Sequence, residues 1–202
     1  MITNGTRFLE YDDENQLIRI TEPNSWKSEF TYDGKLRLRI QRHYTWSNST
    51  WIVTNEVRYV YEGNLVIQER DANNLAAIAY TRGKDFSGTL ERAGGIGGLL
   101  AFSQLATSPR QDFYYHADGN GNVTMLINGL QRAGASCLCD PFGTVLSLAG
   151  PAADINRYRF SSKPVDSASG LLWFLYRYYD SRLQRWVNTD PLRACFKMHN
   201  HA

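Results

Sequence analysis

Three groups of residues in this 202-residue chain have types and spacings that could do chemistry. Gly94-Gly95-Ile96-Gly97-Gly98 could offer backbone N–H groups to a phosphate. A phosphate cradle of that kind continues into Lys-Ser/Thr and opens a helix, and neither follows here. Bulges and close strand packing explain these glycines better. Cys137-x-Cys139 puts two thiols on one face of a strand, and Cys195, His199 and His201 add soft ligands, but the set lacks the spacing of a structural zinc site. These cysteines read as buried or incidental, so neither a cofactor nor a metal is expected. His43 and His116 stand without a Ser or Cys partner at an interpretable position, which supports no catalytic triad. Arg157-Tyr158-Arg159-Phe160 and Tyr176-Arg177-Tyr178 could stack on bases or sugars, and Trp26, Trp46 and Trp51 could form a glycan platform. Against these stand stacked Arg–Tyr ladders on a sheet face, and Trp46 and Trp51 flanking Ser47-Asn48-Ser49-Thr50 to cap a hairpin.

Composition narrows the choice. Lys and Arg number 22 against 20 Asp and Glu, a net charge of +2, which gives poor support for nucleic acid as a partner. The cysteines are three, an odd and sparse set that specifies no disulfide framework. No stretch approaches the roughly 18 to 20 apolar residues of a membrane span, and the N-terminal residues have no signal-type pattern. With 43% hydrophobic and 21% charged residues the chain is not a solvating tail, and its length can bury a core without a metal or a disulfide scaffold. The 12 Tyr, 9 Phe and 5 Trp favour strands.

A unit recurs that would position all of these residues: an alternating strand, a Tyr-Asp-like turn with Gly or Asn, and a second alternating strand. Copies run over 7–21, 29–46, 55–71, 77–91, 111–128 and 135–150. Tyr11, Tyr32, Tyr61 and Tyr80 are read as the turn tyrosines, with Asp33-Gly34, Gly63-Asn64, Asp118-Gly119-Asn120-Gly121 and Asp140-Pro141-Phe142-Gly143 supplying the positive φ or fixed proline φ of a tight hairpin. The run 35–43 alternates as a strand with one wet face, and Val57, Tyr59 and Tyr61 share a face. A lone hairpin is at best marginally stable, so the units must pair edge to edge. The glycine-rich run 91–110 interrupts the rhythm and reads as a turn, a short strand and a surface loop. From Asn156 aromatics and arginines become denser, and 171–180 reads as either a buried strand or a short helix.

The Tyr-Asp-Gly hairpins, together with Gly170-Leu171, Tyr176-Arg177-Tyr178-Tyr179-Asp180, Arg185-Trp186 and Asp190-Pro191, resemble the RHS or YD-repeat proteins and their repeat-associated core, with Trp186 where Phe is usual. Asp140-Pro141-Phe142-Gly143 resembles the turn preceding that core, and Cys139 stands where the family usually has Tyr. The resemblance covers essentially the whole chain. It implies an all-β fold of antiparallel hairpin repeats forming part of a spiralling, teneurin-like shell around a C-terminal, often toxin-like cargo. It also implies three segments: hairpin repeats over 1–150, the core segment over 151–192 and a divergent tail over 193–202.

In some members of the family the core releases the cargo by aspartate-dependent self-cleavage. By residue matching, Asp190 falls on the first Asp-Pro motif and Arg185 on the arginine of the Gly-Arg-Phe segment. After Leu192 the sequence departs from the family and a second Asp-Pro-x-Gly motif is absent, whereas aspartyl chemistry needs two carboxylates sharing a proton. The expectation is therefore a structural, non-enzymatic module, secreted or at the cell surface as part of a longer protein. Its expected partners are the remaining repeats, a cargo polypeptide or further copies of itself through open strand edges, with no nucleic acid. A degraded gene copy, residual self-processing by Asp190 oriented by Arg185, and glycan binding are the alternatives.

Overall fold

The computed structural model describes residues 2–4 and 6–190, and the backbone alone for residues 2–4. It is all-β and antiparallel. A 13-stranded sheet follows chain order, so every strand pairs with its sequence neighbours, and a separate three-stranded sheet closes the chain. Two compact units divide it, one of residues 1–56 and 167–202, the other of residues 57–166. Residues 167–190 pack with the first strands and residues 150–166 with the middle ones.

The first unit holds β1 (Ile2–Asn4), β2 (Arg7–Tyr11), β3 (Leu17–Glu22), β4 (Trp26–Tyr32), β5 (Leu38–Ser47) and the start of β6 (Thr50–Glu62). It also holds β14 (Leu172–Phe174), β15 (Arg177–Asp180) and β16 (Arg185–Trp186). The run 171–180 is thus two strands and a tight turn at Leu175, whose φ is +58°. Leu9, Leu17, Ile20, Phe30, Leu38 and Tyr178 form the core. Trp46 and Trp51 flank the hairpin turn at Asn48 and Ser49, both at positive φ, with ring centroids 4.9 Å apart.

The second unit holds the rest of β6, β7 (Leu65–Arg70), β8 (Ala76–Arg82), β9 (Leu99–Gln104), β10 (Gln111–Ala117), β11 (Val123–Asn128), β12 (Ala133–Cys139) and β13 (Val145–Ala149). Residues 91–110 give a turn, strand β9 and a loop, as the glycine pattern suggested. Phe102, Phe113, Val123, Leu126 and Tyr158 lie in its core.

One turn recurs, and it is built on an acidic or amide side chain. At Asp33, Asp71, Asp118, Asn128 and Asp140 the side-chain Oδ1 accepts the backbone N–H groups two and four residues ahead. The backbone N–H of the same residue donates to the carbonyl four ahead, and its carbonyl accepts from the N–H three ahead. That third residue is left-handed: Leu36, Asn74, Gly121, Gln131 and Gly143 all have positive φ. The sequence reading placed positive φ on Gly34, but in this turn geometry the burden falls on Leu36, and β5 accordingly starts at Leu38. Tyr80 likewise sits inside β8. The chain after it turns at Asp85, so the tyrosine reading took an inward-facing strand residue for a turn residue.

A β-bulge accompanies each of these turns. Tyr11 pairs with Leu17 but Glu10 with Arg19, which leaves Ile18 extra. Tyr32 pairs with Leu38 but Thr31 with Ile40, and Arg82 with Leu99 but Thr81 with Ala101. Two residues on the outgoing strand thus face one on the incoming strand. The inward positions on outgoing strands therefore fall three apart: Leu17 and Ile20, Leu38 and Gln41, Val66 and Glu69, Leu99 and Phe102, Val123 and Leu126 are buried. The extra residues Leu100 and Leu146 are left exposed.

At Asp118, burial pushes the carboxyl up, but the hydrogen bonds from Asn122, Asn120 and Gly121 outweigh it and hold the group below its ordinary 3.8. Asp118→Ala removes acceptors for two backbone N–H groups and should destabilise by about 1–2 kcal/mol in urea unfolding, with Asp118→Asn milder. Because Asp33 and Asp118 titrate below their unfolded value, their contribution should be complete above about pH 5 and fade as pH falls through 4 toward 2. The pH dependence of the urea midpoint checks this, and Asp118→Ala should flatten it.

Candidate functional site

The motif residues of the C-terminal hairpin are held by contacts within the first unit. Gly170 adopts φ +75°, a conformation other residues adopt with strain. Tyr178 is buried with its ring 5.1 Å from Phe30, and its backbone N–H donates to Asn188 Oδ1 at 3.0 Å. Asn188 Nδ2 in turn donates to the carbonyl of Tyr176 at 3.0 Å. Tyr179 and Trp186 stack edge-on at 5.3 Å, and Asp180 accepts the N–H groups of Arg182 and Leu183. The Arg177 guanidinium lies 4.0 Å over the Trp186 ring and 3.0 Å from the Asp190 carboxylate. Asp190 thus has its ion pair with Arg177, while Arg185 is exposed on β16, opposite Asp180.

The hairpin is tied to the first strands by main-chain acceptors. Tyr11 Oη donates to the Val187 carbonyl, Arg7 to that of Ser169 at 2.8 Å, and Asn15 to that of Thr189 at 3.2 Å. Burial pushes the Tyr11 hydroxyl up to about 12, opposed by the charge of Arg185. Pro191, Cys195, His199, His201 and the tail 193–202 lie outside the described residues.

The second unit has a buried ionic centre. Glu69, 4% exposed, takes a hydrogen bond from Tyr80 Oη at 2.7 Å and an ion pair from Arg157 at 3.1 Å. Arg157 also reaches Tyr59 Oη at 3.5 Å. The Glu69 carboxylate raises Arg157 above its ordinary value against the cost of burial, and burial raises the hydroxyls of Tyr59 and Tyr80. Beside it, Arg82 donates to Tyr158 Oη at 3.1 Å, and Tyr158 meets the Tyr80 ring edge-on at 5.1 Å. Arg157 and Tyr158 of the first Arg–Tyr run are thus stacked and bonded inside the unit with Arg82, Tyr59 and Tyr80, whereas in the second run Arg177 lies over Trp186 and Tyr176 is exposed.

The glycine loop resolves in chemical terms. The N–H groups of Ala93 and Gly95 point at Asp85 Oδ2, at 2.7 and 3.2 Å, so the anion held by this nest is the chain's own carboxylate. Lys163 Nζ donates to the Gly94 carbonyl at 2.5 Å, and burial draws that amine down to about 8.

Ser28 and His43, set opposite each other on β4 and β5, lie 3.0 Å apart, a pairing the sequence did not reveal. Ser28 is fully buried, so the pair offers no nucleophile to a substrate. His116 bonds Thr124 at 2.9 Å. Cys137 and Cys139 face one another on β12; the Cys139 hydrogen bond outweighs burial and, aided by Arg159, draws the Cys137 thiol down to about 7, while Cys139 is held high.

No family model matches the chain. Among curated proteins it is similar to the tRNA3(Ser)-specific nuclease WapA of Bacillus spizizenii, 27% identical over 194 residues, covering 94% of this chain and 7% of that protein. The tRNA nuclease WapA of Bacillus subtilis strain 168 is 26% identical over 194 residues, again 94% of this chain and 7% of the relative. The protein YibJ of Escherichia coli K12 is 33% identical over 89 residues, 43% of this chain and 37% of YibJ. The chain therefore spans a small fraction of the WapA proteins it matches. Among solved structures, the TcdB2-TccC3 crystal structure aligns with a TM-score of 0.65 at 15% identity, covering 93% of this chain and 9% of that one. Its TcdB2-TccC3-TEV counterpart aligns at 0.68 and 16%, covering 94% and 9%. At these identities the likeness is one of fold, and it supports the RHS-like array of antiparallel hairpins expected from the Tyr-Asp turns.

Besides Ser28, Asn188 and Glu69 are residues that sequence reasoning missed. Glu69 is buried only because the bulge at Ile67 shifts the inward positions, so a strict alternation places it outward. Glu69→Leu should cost about 3–5 kcal/mol in urea unfolding by leaving Arg157 buried with its carboxylate removed. The Glu69→Leu, Arg157→Met double variant should recover most of that loss.

Proposed function

We propose that this chain is a structural stretch of an RHS or YD-repeat shell, without catalysis of its own, that helps enclose a C-terminal toxin-like cargo or serves as a cell-surface scaffold. The observation that carries this reading is the repeated side-chain-capped, bulged hairpin, paired strictly with its neighbours and joined to a C-terminal hairpin bearing the motif residues Gly170 to Asp190. The likeness in fold to the TcdB2-TccC3 structures and the WapA relatives support it. On this reading the parent protein is secreted or displayed in the manner of teneurin, and residues 151–192 serve as its core segment. The partners of the chain are then adjoining repeats and a cargo polypeptide.

The turn carboxylates that could otherwise serve as acids or bases are taken up by backbone N–H groups, and Asp190 by Arg177. The nuclease activity that the WapA relatives are named for then belongs to a part of those proteins outside this stretch. Incubation of the purified chain with total tRNA should leave the RNA intact on a denaturing gel, and the mass of the chain unchanged. Cleavage of tRNA would place catalysis in this stretch, and a shortened chain that stays intact as Asp190→Asn would assign self-processing to it.

Strand β13 ends the order of the sheet, and its Leu146 is 63% exposed. Open edges pair with other chains. In sedimentation velocity the isolated chain should grow heavier with concentration, and Leu146→Lys should shift the distribution toward monomer.

A further inference from the structure

Cys137 and Cys139 are free thiols near the end of β12, where both are paired with β13, opposite Leu148 and Val145. Their sulfurs are 3.7 Å apart. A cation bound tetrahedrally by thiolates at about 2.3 Å sets two of its sulfurs about 3.8 Å apart. A disulfide instead needs sulfurs at about 2.05 Å and Cα atoms within about 6.8 Å. Residues two apart on a strand are separated by about 6.6 Å, at the far end of that range, so the paired backbone opposes oxidation and favours a bridging ion. Cys137 is 6% exposed and Cys139 half-buried, which gives entry from the Cys139 side. The charge of Arg159, whose Nε is held by the Asn156 carbonyl at 3.0 Å, reaches both sulfurs and offsets the repulsion between two thiolates.

We propose that Cys137 and Cys139 form a two-thiolate site for a soft, thiophilic d10 cation of the Zn2+ and Cd2+ type. On binding, two S–H bonds break, two sulfur–metal bonds form, and the two protons go to solvent. Among the described residues no group of three possible ligands forms, so the remaining positions are left to water or an exogenous ligand. The site is therefore an exchangeable one, unlike the four-ligand sites that hold small folds together.

Cd2+ is the probe for the test. Titrated into the reduced full chain, it should give a saturable thiolate-to-cadmium ultraviolet band at one ion per chain. Cys137→Ser and Cys139→Ser should each weaken binding at least tenfold while retaining the far-ultraviolet circular dichroism of the parent, and Cys195→Ser should leave it unchanged. Independently of any substitution, phenylarsine oxide, which condenses with two adjacent thiols and releases water, should protect both Cys137 and Cys139 from alkylation. A missing band, a band that survives either single substitution, loss of the band in Cys195→Ser, or a Cys137–Cys139 disulfide in the air-purified protein would overturn the proposal.

Discussion

The side chain that closes the recurring hairpin turn, at Asp33, Asp71, Asp118, Asn128 and Asp140, is the interaction on which the rest of this molecule depends. One aspartate or asparagine accepts the N–H groups two and four residues ahead, and its own backbone fixes the same five-residue loop from both ends. Such loops would otherwise leave several backbone donors without acceptors at a sheet end. With the turn fixed, the following strand re-enters the ladder one residue out of step, and the bulge that results decides which side chains face the core. Leu38 and Gln41 after Asp33, or Val123 and Leu126 after Asp118, are inward because the turn put them there.

Much of this was legible in the sequence. The Tyr-Asp recurrence, the Gly121 and Gly143 turns and the aromatic strands all announce hairpins paired edge to edge, whereas the run 171–180 reads equally as strand or helix and only the structure makes it a hairpin. What could not be read follows from the bulge. Period-two reasoning from the inward Val66 puts both Ile67 and Glu69 outside, and places positive φ on Gly34 because glycine adopts it without strain. The hydrogen bonds of Asp33 instead force Leu36 into the left-handed region. The Ser28 and His43 pair was equally hidden, because it depends on the pairing register of β4 and β5 and not on any local pattern.

Each unit solves the same physical difficulty in its own way. In the first, the returning C-terminal hairpin meets the early strands through hydroxyl, guanidinium and amide donors aimed at main-chain carbonyls. Such contacts demand the shape of the backbone more than the identity of the acceptor residue. The second is organised by a buried charge pair surrounded by tyrosines, where the full set of donors and acceptors must be present together.

The hydrogen bonds from Arg7 and Tyr11 to Ser169 and Val187 span 162 and 176 residues of chain. Every hairpin between them can form from neighbours already made, at the small loop-closure cost of a short turn. The earliest strands, by contrast, receive their closing partners only when nearly all of the described chain exists. Within this stretch, β2 thus meets the carbonyls of the C-terminal hairpin only after all the intervening hairpins are in place.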